Sequence, residues 1–478
     1  MKATKIVCTL GPASAGLDVM KDMIDAGMNV ARLNFSHGSH EEHLEKIKTY
    51  RQACADKGVP AAIMLDTKGP EIRLGEFPEK TFIQKGQKFI LYCSRDVTGS
   101  SEGVSISYKG LAGQVSKGTA ILIDDGKLRM EVQAVENGDI LCIAKDEGFV
   151  STKKGVNVPE IHLDMDYLSQ RDQEDLLFGI QQDVDYVASS FVRSVDDVRC
   201  LRTFLDDNGG EAIKIISKIE NPEGIRNFDA ILEASDGIMV ARGDMGVEVD
   251  FATIPGIQKS FIDKCIKAGK PVITATQMLE SMISEPVPTR AEITDVANAV
   301  FDGTSAVMLS GESAAGNYPA LTVSVMSRIL EQAEEDLKNS SRFKTIEEVY
   351  SESLISGAVD LSTAIGHAAC QVADHIGAKA LIAITQSGYT ALMMARFHPD
   401  KPIIAATPSA KVSRQMALIR GVHPVMTEEA SNLEELIQSA KTNAMELGFL
   451  QSGDRIVVSA GLPLRVAGNT NTIRVETI

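Results

Sequence analysis

Eight short, apolar, β-rich runs recur along the chain with helix-patterned stretches between them, and this recurrence limits the fold more than any other feature. The first three runs are Thr4 to Leu10, Asn29 to Phe35 and Ala61 to Thr67. After a long interruption come Tyr186 to Val192, Lys214 to Glu220, Gly237 to Asp244, Pro271 to Gln277 and Ala306 to Glu312. Eight strands separated by amphipathic helices predict a closed parallel (β/α)8 barrel, the TIM barrel architecture. A doubly wound sheet is the alternative, but its topological switch and glycine-rich first turn are not evident.

The interruption, about Pro70 to Asp166, has a different texture. Alternating stretches such as Thr81 to Cys93 and Ala120 to Val135 are punctuated by Asp125-Gly126 and Asn137-Gly138, which are hairpin signals. They predict a small antiparallel β-barrel domain inserted after the third barrel strand, hinged near Pro70 and Asp166 and overhanging the barrel mouth. A polar stretch, Asn339 to Lys344, reads as a linker. Beyond it Ala380 to Thr385, Pro402 to Thr407, His423 to Met426 and Asp454 to Ala460 alternate with helical patterns, and Thr472 to Ile478 closes the series. This is a C-terminal α/β sheet domain. The expected boundaries are 1–69 with 167–340 for the barrel, 70–166 for the insert and 345–478 for the last domain.

Asp and Glu number 65 against 48 Lys and Arg, a net charge of -17 over 478 residues. Such a surface repels nucleic acid and does not suit an anionic membrane, so an anionic substrate needs a local cationic pocket. No apolar run reaches the ~18 residues that span a bilayer, and Met1 to Pro12 is too short in its apolar part for a signal peptide, so a cytoplasmic chain is expected. The seven cysteines are scattered and never form C-x-x-C, which predicts buried, reduced thiols. Tryptophan is absent, and aromatic stacking on bases is not expected to dominate recognition.

The active face of a parallel barrel lies at the C-terminal ends of its strands, and polar residues concentrate there. They are Arg32, Asn34, Ser36 and His37 after the second run, and Asp66, Thr67 and Lys68 after the third, with Glu71 and Arg73 opening the insert. Lys218 and Glu220, Arg242 to Asp244, Thr274 to Gln277, and Ser310 to Glu312 follow at the later ends. A single solvated strand end explains any one of these, but not their coincidence on six strands. Lys218 and Glu220 stand two apart on a strand and share a face, with Asp244 at the corresponding end of the next. An inward ion pair is one reading. Two carboxylates on neighbouring strands also make a hard oxygen site for Mg²⁺ with substrate phosphates, and this is the reading preferred. His37 lacks a second histidine at ligand spacing, and His40 and His43 are expected on the following helix surface, so zinc catalysis is not expected.

Arg32, Arg73, Lys218 and Lys154 supply the cations that an anionic substrate needs. Asn34, Ser36, Asp66 and Thr67 offer oxygens with one formal charge, a set that fits a weakly hydrated monovalent cation. No G-x-G, P-loop or G-x-S-x-G occurs, which excludes Rossmann, Walker and hydrolase-elbow sites. In the last domain Thr385-Gln-Ser387-Gly388-Tyr-Thr390 joins a strand to a helix, where an ordinary N-cap and a phosphate cradle are equally compatible with the local sequence.

These segments together resemble the pyruvate kinase family, essentially from end to end. The resemblance rests on Arg32-Leu-Asn-Phe-Ser-His-Gly38, Leu65-Asp-Thr-Lys-Gly-Pro-Glu-Ile-Arg73, Ile215-Ile-Ser-Lys-Ile-Glu-Asn-Pro-Glu-Gly224, Met239-Val-Ala-Arg-Gly-Asp-Met-Gly246 and Ile273-Thr-Ala-Thr-Gln-Met278. Pro288-Thr-Arg-Ala-Glu292 through Asp295-Val-Ala-Asn-Ala299 also matches. It implies transfer of the phosphoryl group of phosphoenolpyruvate to ADP, giving pyruvate and ATP, with Mg²⁺ (or Mn²⁺) and K⁺.

By position the resemblance makes Lys218 the residue that stabilises the transferring phosphoryl group and the enolate, and Glu220 and Asp244 the Mg²⁺ ligands. Arg32, Gly243, Asp244 and Thr276 match phosphoenolpyruvate contacts, with Thr276 near the carbon to be protonated. Arg73, Lys154, His37 and Asn34 match nucleotide contacts, Arg73 also standing among the catalytic residues. Asn34, Ser36, Asp66 and Thr67 match the K⁺ site, and Glu71 stands where some K⁺-independent relatives carry Lys, which implies K⁺ dependence. Thr385, Gln386, Ser387, Gly388 and Thr390 resemble an effector pocket, with Arg465 as a further phosphate contact. The effector stays open between fructose 1,6-bisphosphate, another sugar phosphate and a nucleotide monophosphate. A homotetramer is implied, and with the sequence ending at Ile478 no activity of the phosphohistidine-type domain that some bacterial relatives append is expected. A barrel lyase or aldolase acting on a pyruvate enolate, and a sugar phosphate sensor with an inactive barrel, are the rival readings.

Overall fold

The computed structural model describes residues 2–159, 161–339, 360–429, 432–464, 466 and 468–478. Residues 340–344 of the expected linker, the stretch 345–359 at the expected start of the last domain, and Arg465 lie outside the described residues. The chain opens with strands β1 (Lys5–Thr9), β2 (Val30–Asn34) and β3 (Ala62–Asp66). The insert contributes β4 (Ile72–Arg73), β5 (Thr81–Ile83), β6 (Lys88–Tyr92), β7 (Gly103–Ser105), β8 (Ala120–Ile123), β9 (Leu128–Glu136), β10 (Asp139–Ala144), β11 (Gly148–Val150) and β12 (Gly155–Asn157). The first series resumes with β13 (Tyr186–Ser189), β14 (Lys214–Ile219), β15 (Gly237–Ala241), β16 (Val272–Ala275) and β17 (Ala306–Leu309). The last sheet holds β18 (Ala380–Ile384), β19 (Ile403–Thr407), β20 (Val422–Met426), β21 (Arg455–Ala460) and β22 (Thr472–Thr477).

Strands β1, β17, β16, β15, β14, β13, β3 and β2 close into a barrel in which every pairing is parallel. Their residues are almost wholly buried because helices cover the outside while side chains fill the inside. Four of the barrel helices start with a Ser or Thr whose side chain accepts from the third helical residue, and that residue's acid reaches back: Ser39 with Glu42, Ser169 with Asp172, Ser194 with Asp197, and Thr289 with Glu292. These reciprocal caps satisfy donors that each strand-to-helix turn would otherwise leave open.

Every barrel strand ends earlier than its run, four of them by two or three residues, and β13 stops at Ser189 rather than Val192. Strand β15 stops at Ala241, so Asp244 sits in the first turn of the helix Arg242–Glu248 rather than on the strand. Strand β16 stops at Ala275, and Thr276 and Gln277 take left-handed conformations at φ 68° and 55°. Strand β17 stops at Leu309, and the buried Glu312 lies in the helix Gly311–Ala314, where it accepts from the Ser310 and Leu279 amides.

The insert forms a seven-stranded sheet in the order β4-β12-β8-β9-β10-β6-β7, with a two-stranded companion of β11 and β5. An antiparallel bridge between Leu74 and Ile106 joins its two edges, so the sheet curls round a core of its own. One pair, β6 with β7, runs parallel among antiparallel neighbours, because a loop rather than a hairpin joins the two strands. The signals at Asp125-Gly126 and Asn137-Gly138 mark the turns from β8 to β9 and from β9 to β10, with positive φ at all four residues.

The last sheet runs β20-β19-β18-β21-β22, parallel except for β22, which returns antiparallel to β21. It docks on the barrel floor through the helix Ala410–Met416 and the turn after it. Ala417 and Leu418 join the apolar cluster inside the barrel with Val7, Met64, Ile216 and Met308. Arg414 reaches Asp185 at 2.8 Å and Asp183 at 2.6 Å, and Lys411 reaches Asp183 at 2.8 Å. Asp185 is fully buried and also accepts the Ile63 amide at 2.8 Å. Removing one partner of a buried pair leaves the others desolvated, so Asp185→Ala is expected to cost about 3 kcal/mol. The check is the denaturant midpoint of unfolding, and an unshifted midpoint would show the pair to be idle.

Six of the seven cysteines are buried, but Cys200 is exposed, contrary to the reading of the whole set as buried, because it faces outward from the helix Val195–Asp207. Among the described residues no helix is long and apolar enough to cross a membrane.

Candidate active site

The ends of β2, β3 and β14 bring four buried charged side chains together, with Ser190 after β13 beside them. Arg32 donates through Nε to Asp66 Oδ2 at 2.7 Å and through Nη1 to Thr9 Oγ1 at 2.9 Å. Lys218 donates to Asp66 Oδ1 at 3.0 Å and to Ser190 Oγ at 2.8 Å. Asp66 therefore sits between two cations. Burial opposes its charge, but Arg32 and then Lys218 outweigh burial and hold its carboxyl below the usual range. Burial likewise opposes the charge on Lys218, and Asp66 and Glu220 overcome it, raising the ammonium above its ordinary value.

Glu220 is the unbalanced member. Its Oε2 accepts the Phe191 amide at 2.6 Å, while Oε1 lies 3.1 Å from the Lys218 ammonium yet has no hydrogen bond among the described residues. The ammonium directs its hydrogen bonds to Asp66 and Ser190, so this is a charge contact only. Burial, reinforced by Asp244, pushes the Glu220 carboxyl up to about 8. A buried carboxylate oxygen without a hydrogen bond, with a second carboxylate near enough to repel it, suits a divalent cation. Mg²⁺ needs only one or two protein carboxylates when substrate oxygens and water complete its shell. The absence of any group of three or more His, Cys, Asp or Glu among the described residues is compatible with such a site.

At the next strand ends Thr276 Oγ1 accepts the Gly243 amide at 2.8 Å and donates to the Ala275 carbonyl at 2.6 Å. Arg242 holds this turn from behind, donating to the Thr276 carbonyl at 2.6 Å while paired with Asp295 at 2.7 Å. In the sequence Arg242 is one polar residue at a strand end and Asp295 one residue of a matching segment. Spacing could not show that the two clamp Thr276. Ser190 carries no local signal either, since Ser189-Ser190 at the fourth strand end looks like any solvated turn.

Asn34 and Asp66 are register partners on adjacent strands, and Asn34 Oδ1 accepts the Ser36 amide at 3.1 Å. Thr67 Oγ1 accepts the Ser190 amide at 3.1 Å. The oxygen-only chemistry of Asn34, Ser36, Asp66 and Thr67, with one formal charge, fits a monovalent cation. His43 is buried rather than on the helix surface. It stacks on Phe35 at 4.1 Å and donates from Nε2 to the His37 carbonyl at 2.9 Å, so the loop carrying Ser36 and His37 rests on it.

A cleft of about 320 Å³ between insert and barrel is lined by His37, Glu71, Arg73, Lys154, Asp244 and Glu248, among others. Arg73 is oriented by Glu71 at 2.6 Å, and Lys154 by Asp124 at 2.8 Å. The insert is tied down over the mouth. Asn157 donates to Glu248 at 2.8 Å, and Arg193 donates to the Leu163 and Met165 carbonyls. In the last domain a cavity of about 60 Å³ is lined by Thr385, Gln386, Ser387 and Thr390 with Gly468 and Asn469. Gly388 does not line it. Its amide donates to Thr385 Oγ1 at 2.9 Å, and its left-handed turn at φ 86° is pressed against Met416.

A capped parallel barrel with cations, buried carboxylates and a cleft roofed by its own insert defines an enzyme that handles a small anionic substrate at the strand ends. Comparison with known proteins makes the class specific. The pattern described as "Pyruvate kinase, barrel domain" matches residues 1–323, and "Pyruvate kinase, alpha/beta domain" matches 363–476. The chain is 46% identical over 479 residues to the pyruvate kinase of Clostridium acetobutylicum and 42% identical to that of Clostridium perfringens, each along the full length of both chains. It is 44% identical to the pyruvate kinase of Geobacillus stearothermophilus over all of this chain and 80% of that relative. The chain belongs to the pyruvate kinase family. It is a phosphotransferase acting between phosphoenolpyruvate and ADP, in a family that needs a divalent metal and potassium.

Proposed function

We propose that the buried Arg32–Asp66–Lys218–Glu220 cluster is the phosphoryl-transfer centre, and the Oε1 of Glu220, buried without a hydrogen bond, is the observation that carries this reading. Arg32 and Lys218 receive the phosphoryl group of phosphoenolpyruvate, while Gly243, Asp244 and Thr276 position the rest of the substrate. Arg73, Lys154, His37 and Asn34 hold the nucleotide. Glu220 and Asp244 would hold Mg²⁺ or Mn²⁺, and Asn34, Ser36, Asp66 and Thr67 would hold K⁺. When bound, these ions supply positive charge to oxygens that gain charge during transfer.

The Lys218 ammonium stays protonated and stabilises both the moving phosphoryl group and the enolate left behind. Thr276 is a weak acid whose proton is already committed to the Ala275 carbonyl, which supports a role in ordering the water that protonates the enolate carbon. Closure of the insert excludes water and limits hydrolysis of the phosphoryl group.

The loop bearing Thr385, Gln386, Ser387, Gly388 and Thr390 serves as a second, regulatory site for a sugar phosphate or nucleotide. The cavity that four of these line supports it, and Arg465 belongs to the same proposal from sequence alone. A homotetramer acting in the cytoplasm, and domain limits of 1–69 with 167–340, 70–166 and 345–478, complete the reading.

The test is pyruvate formation from phosphoenolpyruvate and ADP with Mg²⁺, comparing K⁺ with tetramethylammonium. ADP-dependent turnover that requires K⁺ is expected. Turnover without ADP would favour the lyase, no turnover would favour the sensor, and equal rates in both cations would overturn the K⁺ site and the argument from Glu71.

A further inference from the structure

We propose that Ser190, at the end of β13, is a positioning residue for phosphoryl transfer: its hydroxyl presets the Lys218 ammonium beside Asp66. This rests on the role given above to Lys218. Ser190 is buried, and its Oγ accepts from Lys218 Nζ at 2.8 Å while donating its single proton to the Thr67 carbonyl at 2.6 Å. That proton cannot also serve Asp66 Oδ1, 3.3 Å away. The direction of the chain is therefore fixed, from the Lys218 ammonium through the Ser190 hydroxyl to the Thr67 carbonyl. A tetrahedral ammonium with two hydrogen bonds set, to Asp66 and Ser190, has its third N–H direction set as well.

The backbone around Ser190 is held to match. Its amide donates to Thr67 Oγ1 at 3.1 Å, and its carbonyl accepts from the Tyr167 hydroxyl at 3.0 Å, just where the chain returns from the insert. The next residue, Phe191, takes φ 54°, a left-handed conformation that is strained for a bulky residue. That turn aims the Phe191 amide at Glu220 Oε2, 2.6 Å away. One strained turn thus sets the amine and the carboxylate of the centre together. Glycine would take the same turn without strain, so the backbone here is fixed by its surroundings and not by local preference.

The experiment compares Ser190→Ala, Ser190→Thr and Lys218→Met in the full chain with Mg²⁺ and K⁺. A displaced catalytic group costs roughly tenfold to hundredfold in kcat, and that fall is expected for Ser190→Ala. KM for phosphoenolpyruvate is expected to move less than about threefold, as for an interaction felt mainly in the transition state. Inhibition by oxalate, a planar dianion resembling the enolate of pyruvate, is expected to weaken in step with kcat. Ser190→Thr keeps the hydroxyl and is expected to restore most of the rate. Its extra methyl lies near Gly69, so unfolding midpoints are measured for every variant, and the pairing of kcat with oxalate inhibition in Ser190→Ala decides alone if the Thr variant is unstable.

Full kcat in Ser190→Ala, or a fall in kcat with unchanged oxalate inhibition, overturns the proposal. So does a well-folded Ser190→Thr that recovers no rate. If Lys218→Met itself keeps full kcat, the reading of Lys218 fails. If that variant is dead while Ser190→Ala is normal, only the role of Ser190 fails.

Discussion

Lys218→Met is expected to lower kcat by roughly a thousandfold, about 4 kcal/mol of transition-state stabilisation, while KM for phosphoenolpyruvate changes by only a few fold. Methionine keeps nearly the length of lysine and removes only the charge and its hydrogen bonds. Ground-state binding of the phosphoryl group retains Arg32, whose contact with Asp66 at 2.7 Å does not pass through Lys218. What is lost is the ammonium that meets charge appearing on the enolate, and this exists only after transfer begins. The fold is expected to survive, because Asp66 keeps its arginine and Glu220, already pushed up to about 8, can take a proton when its cation is removed. Steady-state kinetics with circular dichroism on the same sample make the check. An unchanged kcat in the folded variant would end the assignment of Lys218 to the chemistry.

The barrel was legible because parallel strands covered on both faces leave apolar runs that few other structures require, as Lys5–Thr9 and Ala62–Asp66 show. The ends of those runs were less legible for a physical reason. Thr276 after Ala275 could equally continue a strand, whereas Gly243 and Gly311 weaken the strands beyond Ala241 and Leu309 without fixing the last residue. The left-handed pair Thr276 and Gln277 follows from no local preference, being held from outside by Arg242 and Asp295. Hairpins carrying Asp-Gly and Asn-Gly were readable because glycine and asparagine enter the left-handed region at low cost. The parallel pairing of β6 with β7 carries no such mark.

Within the candidate site, residues that stand out by type are legible in the sequence, and those defined by what they touch are not. Arg32, Asp66, Lys218 and Glu220 are charged residues at apolar strand ends, a conflict visible in one dimension. Ser190, Tyr167 and His43 are ordinary in sequence and gain meaning only from what they touch: an ammonium, the Ser190 carbonyl and the His37 carbonyl. The same holds for Leu418, which enters the barrel floor from another domain and reads locally as a helix residue. Even Gly388, placed correctly in the loop after β18, serves the turn and the packing on Met416 rather than the cavity wall.

Glu220→Gln is expected to weaken divalent-metal affinity by a factor of at least 10 to 100 and to lower kcat by roughly a hundredfold or more at fixed metal concentration. The substitution is nearly isosteric, and its amide oxygen can still accept the Phe191 amide that Oε2 holds at 2.6 Å, so the strained turn at the end of β13 stays in place. The charge at Oε1, the atom without a hydrogen bond, is removed. Relief of the cost of burying this charge, with relief of its repulsion by Asp244, outweighs the lost attraction to Lys218 and is expected to leave the metal-free fold no less stable. A gain or no change in stability together with lost metal affinity is a pairing that a merely structural carboxylate would not give. Titration of Mn²⁺ followed by its paramagnetic signal, beside thermal unfolding in chelator, separates the two effects. Wild-type Mn²⁺ affinity in Glu220→Gln would remove this carboxylate from the metal site and leave Asp244 to be tested alone.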